Sequence, residues 1–182
     1  MLALVRREIP DLRLVEKRDS PLMRAVAALS YPLNPAFATE YTTVIGSTVY
    51  LPRPADQVPR DQLAATLAHE LVHQLDQRAA PVWFYVSYGL LPLPIGRSRR
   101  AYWEIRAYTV DLMLAHLRGD AALERRADWL AEIFSGPAYG WMWAGKAAAR
   151  EYIAPAVAAV RAGTVQAEEP YRSILTAWRG TS

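Results

Sequence analysis

Cysteine is absent from this 182-residue chain, and histidine occurs only three times, at His69, His73 and His116. Without cysteine there is no disulfide framework, no thiolate zinc site and no sulfur nucleophile. Long apolar runs are missing too: no stretch reaches the roughly 20 consecutive apolar residues of a membrane-spanning helix. The greasiest segment, 81–95, contains three prolines and a glycine. It reads as an apolar loop or short helix laid on the core, and membrane contact is not expected. The net charge is only +3, and the basic residues are scattered apart from Arg97, Arg99 and Arg100, so no nucleic-acid partner is expected. The first residues, Met-Leu-Ala-Leu-Val-Arg-Arg-Glu, invert the order of a secretory leader, which makes a cytoplasmic location the expectation. The chain shows no repeat, low-complexity block or domain linker, and no pattern that specifies an oligomeric state.

Hydrophobic residues make up 52% of the chain and charged ones 21%, with six tryptophans and ten tyrosines. One domain spanning 1–182 can bury a core of its own without metal or disulfide staples. Residues 21–29 suggest a short helix, stopped by the two prolines of Tyr31-Pro-Leu-Asn-Pro35. Thr42 to Leu51 is dense in β-branched residues and interrupted by Gly46-Ser47, which predicts either one bulged strand or a tight hairpin. Helical patterns follow over about 61–77, over 99–117 with Ser98 as a cap, over 120–134 up to the Ser135-Gly-Pro137 break, and over 146–162 before Gly163. A last apolar segment lies at 174–178. The expected class is α+β: a mainly helical domain with a small sheet or edge strand ahead of the helix at 61–77, and a helical C-terminal part over 120–182.

The run Leu67-Ala-His-Glu-Leu-Val-His-Gln-Leu-Asp76 contains H-E-x-x-H at His69, Glu70 and His73. On a helix the two imidazoles stand one turn apart on one face, with the carboxylate beside them. The bare pattern arises by chance on the order of once in a few hundred chains of this length. Its surroundings argue against chance here. Leu63, Leu67, Leu71 and Leu75 recur every four residues, joined by Ala64, Ala68 and Val72, so the segment is an amphipathic helix whose apolar stripe lies apart from the histidines. Pro59 precedes it, and Asp61 is a plausible N-cap.

A catalytic zinc takes three protein ligands and keeps one open position. The metzincin extension needs glycine and histidine three and six places after His73, where the chain has Asp76 and Ala79. That class is excluded. Tyr102-Trp-Glu-Ile-Arg-Ala-Tyr108 offers Glu104, 31 residues beyond His73, on the predicted helix 99–117. Asp111, two turns after Glu104, and Asp76, three residues after His73, compete for the role of orienting a histidine. His116 is a third-ligand alternative, but a place near the end of its helix suits it better.

With those residues in place, the chain resembles the small gluzincin-type metallopeptidases, the zincins with H-E-x-x-H and a downstream glutamate, over about residues 42–112. The resemblance is nearer to small bacterial and phage-encoded members than to large secreted ones. It implies zinc held by His69, His73 and Glu104, Glu70 as general base, peptide or protein substrates, and an edge strand near Thr43 to Pro52 lining the cleft. One departure stands out: the acidic residue that such enzymes carry four places after the ligand glutamate is here Tyr108, with the acid at Asp111. An oxyanion donor is also required. Tyr108, Tyr102, Tyr88 and Arg106 are available, and Tyr108 is the choice. The alternative from another class is a zincin-fold binding or structural module, such as a phage or secretion-particle component, with a non-proteolytic metal site; amidase chemistry on the same centre is a third reading.

Overall fold

Apolar residues repeating every three or four positions build the long helices, and the β-branched cluster ahead of them builds a small sheet. The computed structural model describes residues 1–32, 34–90, 99–137 and 141–180. It is of the α+β class, mainly helical with one three-stranded sheet. Helix α1 (Leu2–Glu8) leads into strand β1 (Arg13–Glu16), and α2 (Pro21–Ser30) begins with a proline in its first turn and Ser20 as its cap. Ser20 Oγ accepts from the Met23 amide at 3.3 Å, which satisfies one of the first-turn donors that a helix start leaves open.

The segment after α2 forms the hairpin and not the single bulged strand. Strands β2 (Thr43–Ile45) and β3 (Thr48–Leu51) pair antiparallel with Val44 opposite Val49. Gly46 supplies the positive φ, 56°, at the turn, where a side chain would be strained. The sheet order is β1-β3-β2, with β1 parallel to β3. β3 is therefore central, and its Val49 and Leu51 are buried.

Helix α3 (Arg60–Ala79) carries the H-E-x-x-H run. The N-cap position is held by Pro59, with no side-chain cap, and Asp61 lies inside the first turn. Asp61 is thus not the cap expected of it; two residues past the cap, its carboxylate meets the positive end of the helix dipole instead. Helix α4 (Pro81–Tyr85) continues as a wider, π-type turn over Val86–Leu90, so the described part of the apolar segment is helical. Residues 91–95 of that segment and the expected cap Ser98 lie outside the described residues. Then follow α5 (Arg99–His116), α6 (Asp120–Ser135), α7 (Lys146–Ala162) and α8 (Tyr171–Arg179). No helix among the described residues is long and apolar enough to cross a membrane.

Helix α5 is the hub, packed against α3, α6 and α7. Leu112 and Met113 from α5, Leu67 and Leu71 from α3, and Phe134 from α6 share one core with Ile153 of α7 and Ile174 of α8. Helices α3 and α5 run antiparallel across it, fixed at one end by a fork of hydrogen bonds. Arg106 Nε donates to both carboxylate oxygens of Asp76 at 3.1 and 3.0 Å, and Nη2 donates to Oδ1 at 2.8 Å. Asp76 is buried, while the Arg106 side chain is about a third exposed. Arg106→Met leaves the carboxylate buried and unpaired. We expect a loss of roughly 2–3 kcal/mol in urea unfolding, less than the 3–5 kcal/mol of a fully buried pair because water reaches the guanidinium. A loss below ~0.5 kcal/mol would show that this contact does not secure the helix pair.

Candidate metal centre

The four-residue spacing of His69 and His73 turns both rings toward α5, where Glu104 and Asp111 face them from the opposite helix. One donor atom from each of His69, His73 and Glu104 forms a group in which no pair is more than 4.8 Å apart. Glu104 and His73 are almost fully buried, and His73 Nε2 lies 3.8 Å from Glu104 Oε2. Bonds of about 2.0–2.2 Å to one shared zinc put donor atoms roughly 3.3–3.6 Å apart, so side-chain shifts of about an ångström bring all three onto one ion. The stronger test of fit is Glu104 Oε2 itself. It is buried without a hydrogen-bond partner, a costly state for a carboxylate oxygen unless a cation or donor compensates. The donor set fits a divalent metal.

Supporting contacts hold the donors. His69 Nδ1 lies 3.0 Å from Asp111 Oδ2, which fixes the ring and leaves Nε2 to the site. Asp111, not Asp76, is therefore the orienting acid; Asp76 is engaged by Arg106. The Tyr88 hydroxyl donates to Glu104 Oε1. Burial, reinforced by the Glu104 charge, pushes the Tyr88 phenol far above its usual range, so it stays a donor. The wide turn carrying Tyr88 is tied to α5 through Ser87, whose hydroxyl accepts from Trp103 Nε1 at 2.9 Å and donates to the Trp83 carbonyl at 2.6 Å. Arg100 Nε stands 3.9 Å from Glu104 Oε1.

The two imidazoles differ in charge. Burial opposes protonation of His69, but the hydrogen bond and charge of Asp111, with Glu70 and Glu104 adding to them, bring it to about 9. Burial and the neighbouring cationic His69 hold His73 well below 6.5, leaving it neutral with a lone pair to offer. Burial raises Glu70 to about 7; the His69 charge opposes the rise and Glu104 adds to it.

Two cavities meet at the group, and both are lined by Tyr41, Thr42, His69 and Glu70. One, of about 290 Å³, is walled by Phe37, Val44, Ile45, Phe84, Tyr85 and Tyr88. The other, of about 470 Å³, carries Glu40, Asp111 and Arg126 beside Tyr108 and Trp129. Tyr108 stands edge-on to His69, ring centroids 4.6 Å apart. His116 lies 3.2 Å from Asp120 at the α5–α6 corner, outside the donor group. Strand β2 lines the smaller cavity, yet the Val44 carbonyl accepts from Gln77 Nε2 at 3.4 Å. That contact occupies part of the short edge of the strand expected to line the cleft.

Lys17, Tyr88 and Gln77 were not singled out by sequence for the places they hold. Lys17 is buried, with Nζ donating to the Phe37 carbonyl at 2.8 Å and lying 3.6 Å over the Phe37 ring. Burial lowers this lysine to about 8 while the nearby Glu70 raises it. Lysine is rarely buried, and no local pattern marks one that is.

Comparison with protein-family models, with curated proteins and with solved structures finds no match for this chain. Geometry and chemistry alone carry the functional reading.

The His69–Asp111 pair has a pH signature in the metal-free protein. The folded pKa of about 9 exceeds the ordinary 6.5, so the pair's stabilisation is fully present below about pH 6.5 and is lost as pH rises through about 9. Asp111→Asn is expected to lower the His69 midpoint in an NMR titration. The stability gap between wild type and variant should shrink from pH 6 to pH 10. An unmoved midpoint contradicts the assigned pair.

Proposed function

We propose that this chain is a zinc-dependent peptidase of gluzincin type. The single observation that carries the reading is the convergence of His69, His73 and Glu104, with Glu70 beside them and an unpartnered carboxylate oxygen facing the imidazoles. Zinc bound there would acidify water and polarise a carbonyl, which is the chemistry peptide hydrolysis requires.

The remaining work falls to the protein's own side chains. Glu70 accepts a proton from the attacking water at its carboxylate and returns it to the departing amine; in the metal-free protein burial holds its carboxyl up at about 7, and a cation in the donor set would favour its ionised, proton-accepting form. Asp111 keeps His69 in one orientation, and Tyr88 does the same for Glu104. Tyr108 lines the larger cavity together with His69 and Glu70, which supports it as the donor to the developing oxyanion.

The test begins with metal analysis of the purified protein, with about one zinc per chain expected. Glu70→Gln should keep the zinc and lose peptide cleavage by at least ~10³-fold, whereas Glu104→Ala should lose the zinc. Full cleavage by Glu70→Gln would remove the mechanism. Zinc-loaded wild type that cleaves nothing across a broad peptide library would instead favour the binding or structural module.

For Tyr108→Phe, a fall in kcat of roughly 10²-fold with KM little changed is expected. A rise in KM alone would make Tyr108 a wall residue and exclude it as the oxyanion donor.

A further inference from the structure

We propose that the smaller cavity selects substrates with a large apolar side chain, aromatic or long aliphatic, next to the scissile bond. The inference rests on the peptidase reading above and adds the substrate class. Three observations carry it: the cavity's position, its volume and its lining.

The cavity opens onto His69, Glu70, His73 and Glu104, so a side chain seated in it brings its own backbone to the donor group. Its volume is about 290 Å³. A dry apolar cavity of about 150 Å³ holds benzene, so there is room here for phenylalanine, leucine or tryptophan. Phe37, Val44, Ile45 and Phe84 supply apolar surface, and the tyrosines beside them contribute ring faces while their hydroxyls are engaged. Tyr85 donates to Gln77 Oε1 at 2.7 Å, and Tyr88 donates to Glu104. The Gln77 amide is bound to the hairpin through the Gly46 amide at 2.8 Å and the Val44 carbonyl at 3.4 Å. Asn34, Thr42, Thr43 and Arg100 add polar groups to the lining, but a charged or amide side chain entering this space gives up its water, whereas an apolar one gives up none.

The wall is also held in place. Lys17 fixes Phe37 from beneath, by its hydrogen bond to the carbonyl and its position over the ring. Phe84 stacks on Tyr88 with ring centroids 5.1 Å apart and planes at 13°. A preformed cavity discriminates by fit. The larger cavity carries Glu40, Asp111 and Arg126 beside Trp129 and Ile133 and is the more polar of the two, so the apolar residue of a substrate is favoured in the smaller one.

The experiment measures kcat/KM of the zinc-loaded wild type on a peptide series varied at each position flanking the cleaved bond. Peptides with Phe, Leu or Trp at one of these positions should exceed those with Ala, Asp or Lys by at least ~10²-fold, since each added methylene in a fitting apolar pocket is worth roughly 10- to 200-fold. Val44→Trp fills the cavity, and its Phe-to-Ala ratio should fall at least tenfold. Calorimetric binding of the same peptides to the Glu70→Gln protein gives a readout independent of turnover, with the Phe peptide expected to bind more tightly than the Ala peptide. Cleavage without apolar preference overturns this inference and leaves the peptidase reading intact. Absence of any cleavage overturns the peptidase reading, and the binding series then still decides whether the cavity selects apolar side chains. If Val44→Trp does not fold, the wild-type ratio decides alone.

Discussion

The antiparallel contact between α3 and α5 buries ionisable groups that no small domain would keep there without compensation. Glu70, His73, Asp76 and Glu104 all lie within it, nearly inaccessible to water. A charge transferred from water to such a place costs several kcal/mol unless it is paired. Asp76 has Arg106, His69 has Asp111, and one oxygen of Glu104 has Tyr88. The other oxygen of Glu104 faces His73 Nε2 across 3.8 Å, too far for a hydrogen bond. The helix pair is thus satisfied at its edges and unsatisfied at its centre, where the donor atoms converge. A divalent cation is one species whose charge and size would answer that deficit.

Much of this was legible because its signals are local. The heptad-like leucines of α3, the capping and breaking residues around α6 and α7, and the β-branched hairpin all act through neighbours in sequence, and the helix at Lys146–Ala162 has the bounds its pattern predicts. Strand β1 was not legible. Arg-Leu-Val-Glu is short and charged at both ends, and its extended form comes from parallel pairing with β3, more than 30 residues away. The choice between Asp76 and Asp111 was hidden for a related reason. Both spacings place a carboxylate on the correct face, and only the way α5 lies across α3 decides that Asp76 meets Arg106 while His69 meets Asp111. Tyr88 was named among the oxyanion candidates, but its bond to Glu104 was hidden because the wide turn at Val86–Leu90 shifts the phase of the helix.

One helix also sets the shape of the cavity beside the donor group. His69, His73 and Gln77 repeat every four residues along α3, as do Glu70 and Gln74. The first members of each series reach the donor group, and the last reach the hairpin. Gln74 Nε2 donates to the Gly46 carbonyl at 3.1 Å, and Gln77 Oε1 accepts from the Gly46 amide. The turn of the hairpin is therefore held by the same rigid element that holds the histidines, and Val44 and Ile45 form a wall at a fixed distance from them. A site on a helix and a wall pinned to that helix move together or not at all, the arrangement that precise positioning requires.

Electrostatics gives Lys17 a part in the same design. In the metal-free protein Glu70 is crowded by Glu104 and Asp111 and shielded from water, all of which favour its protonated form. Lys17 and His69 oppose that trend. A dication in the donor set acts in the same direction with twice the charge, and it also requires His69 to give up its proton, so that source of positive potential is replaced as the cation enters. Lys17 is not a member of the donor group. It is buried near Glu70, where screening is weak, and the same ammonium holds Phe37 in the cavity wall. The charge that opposes protonation of Glu70 and the contact that shapes the apolar wall are thus two effects of one side chain.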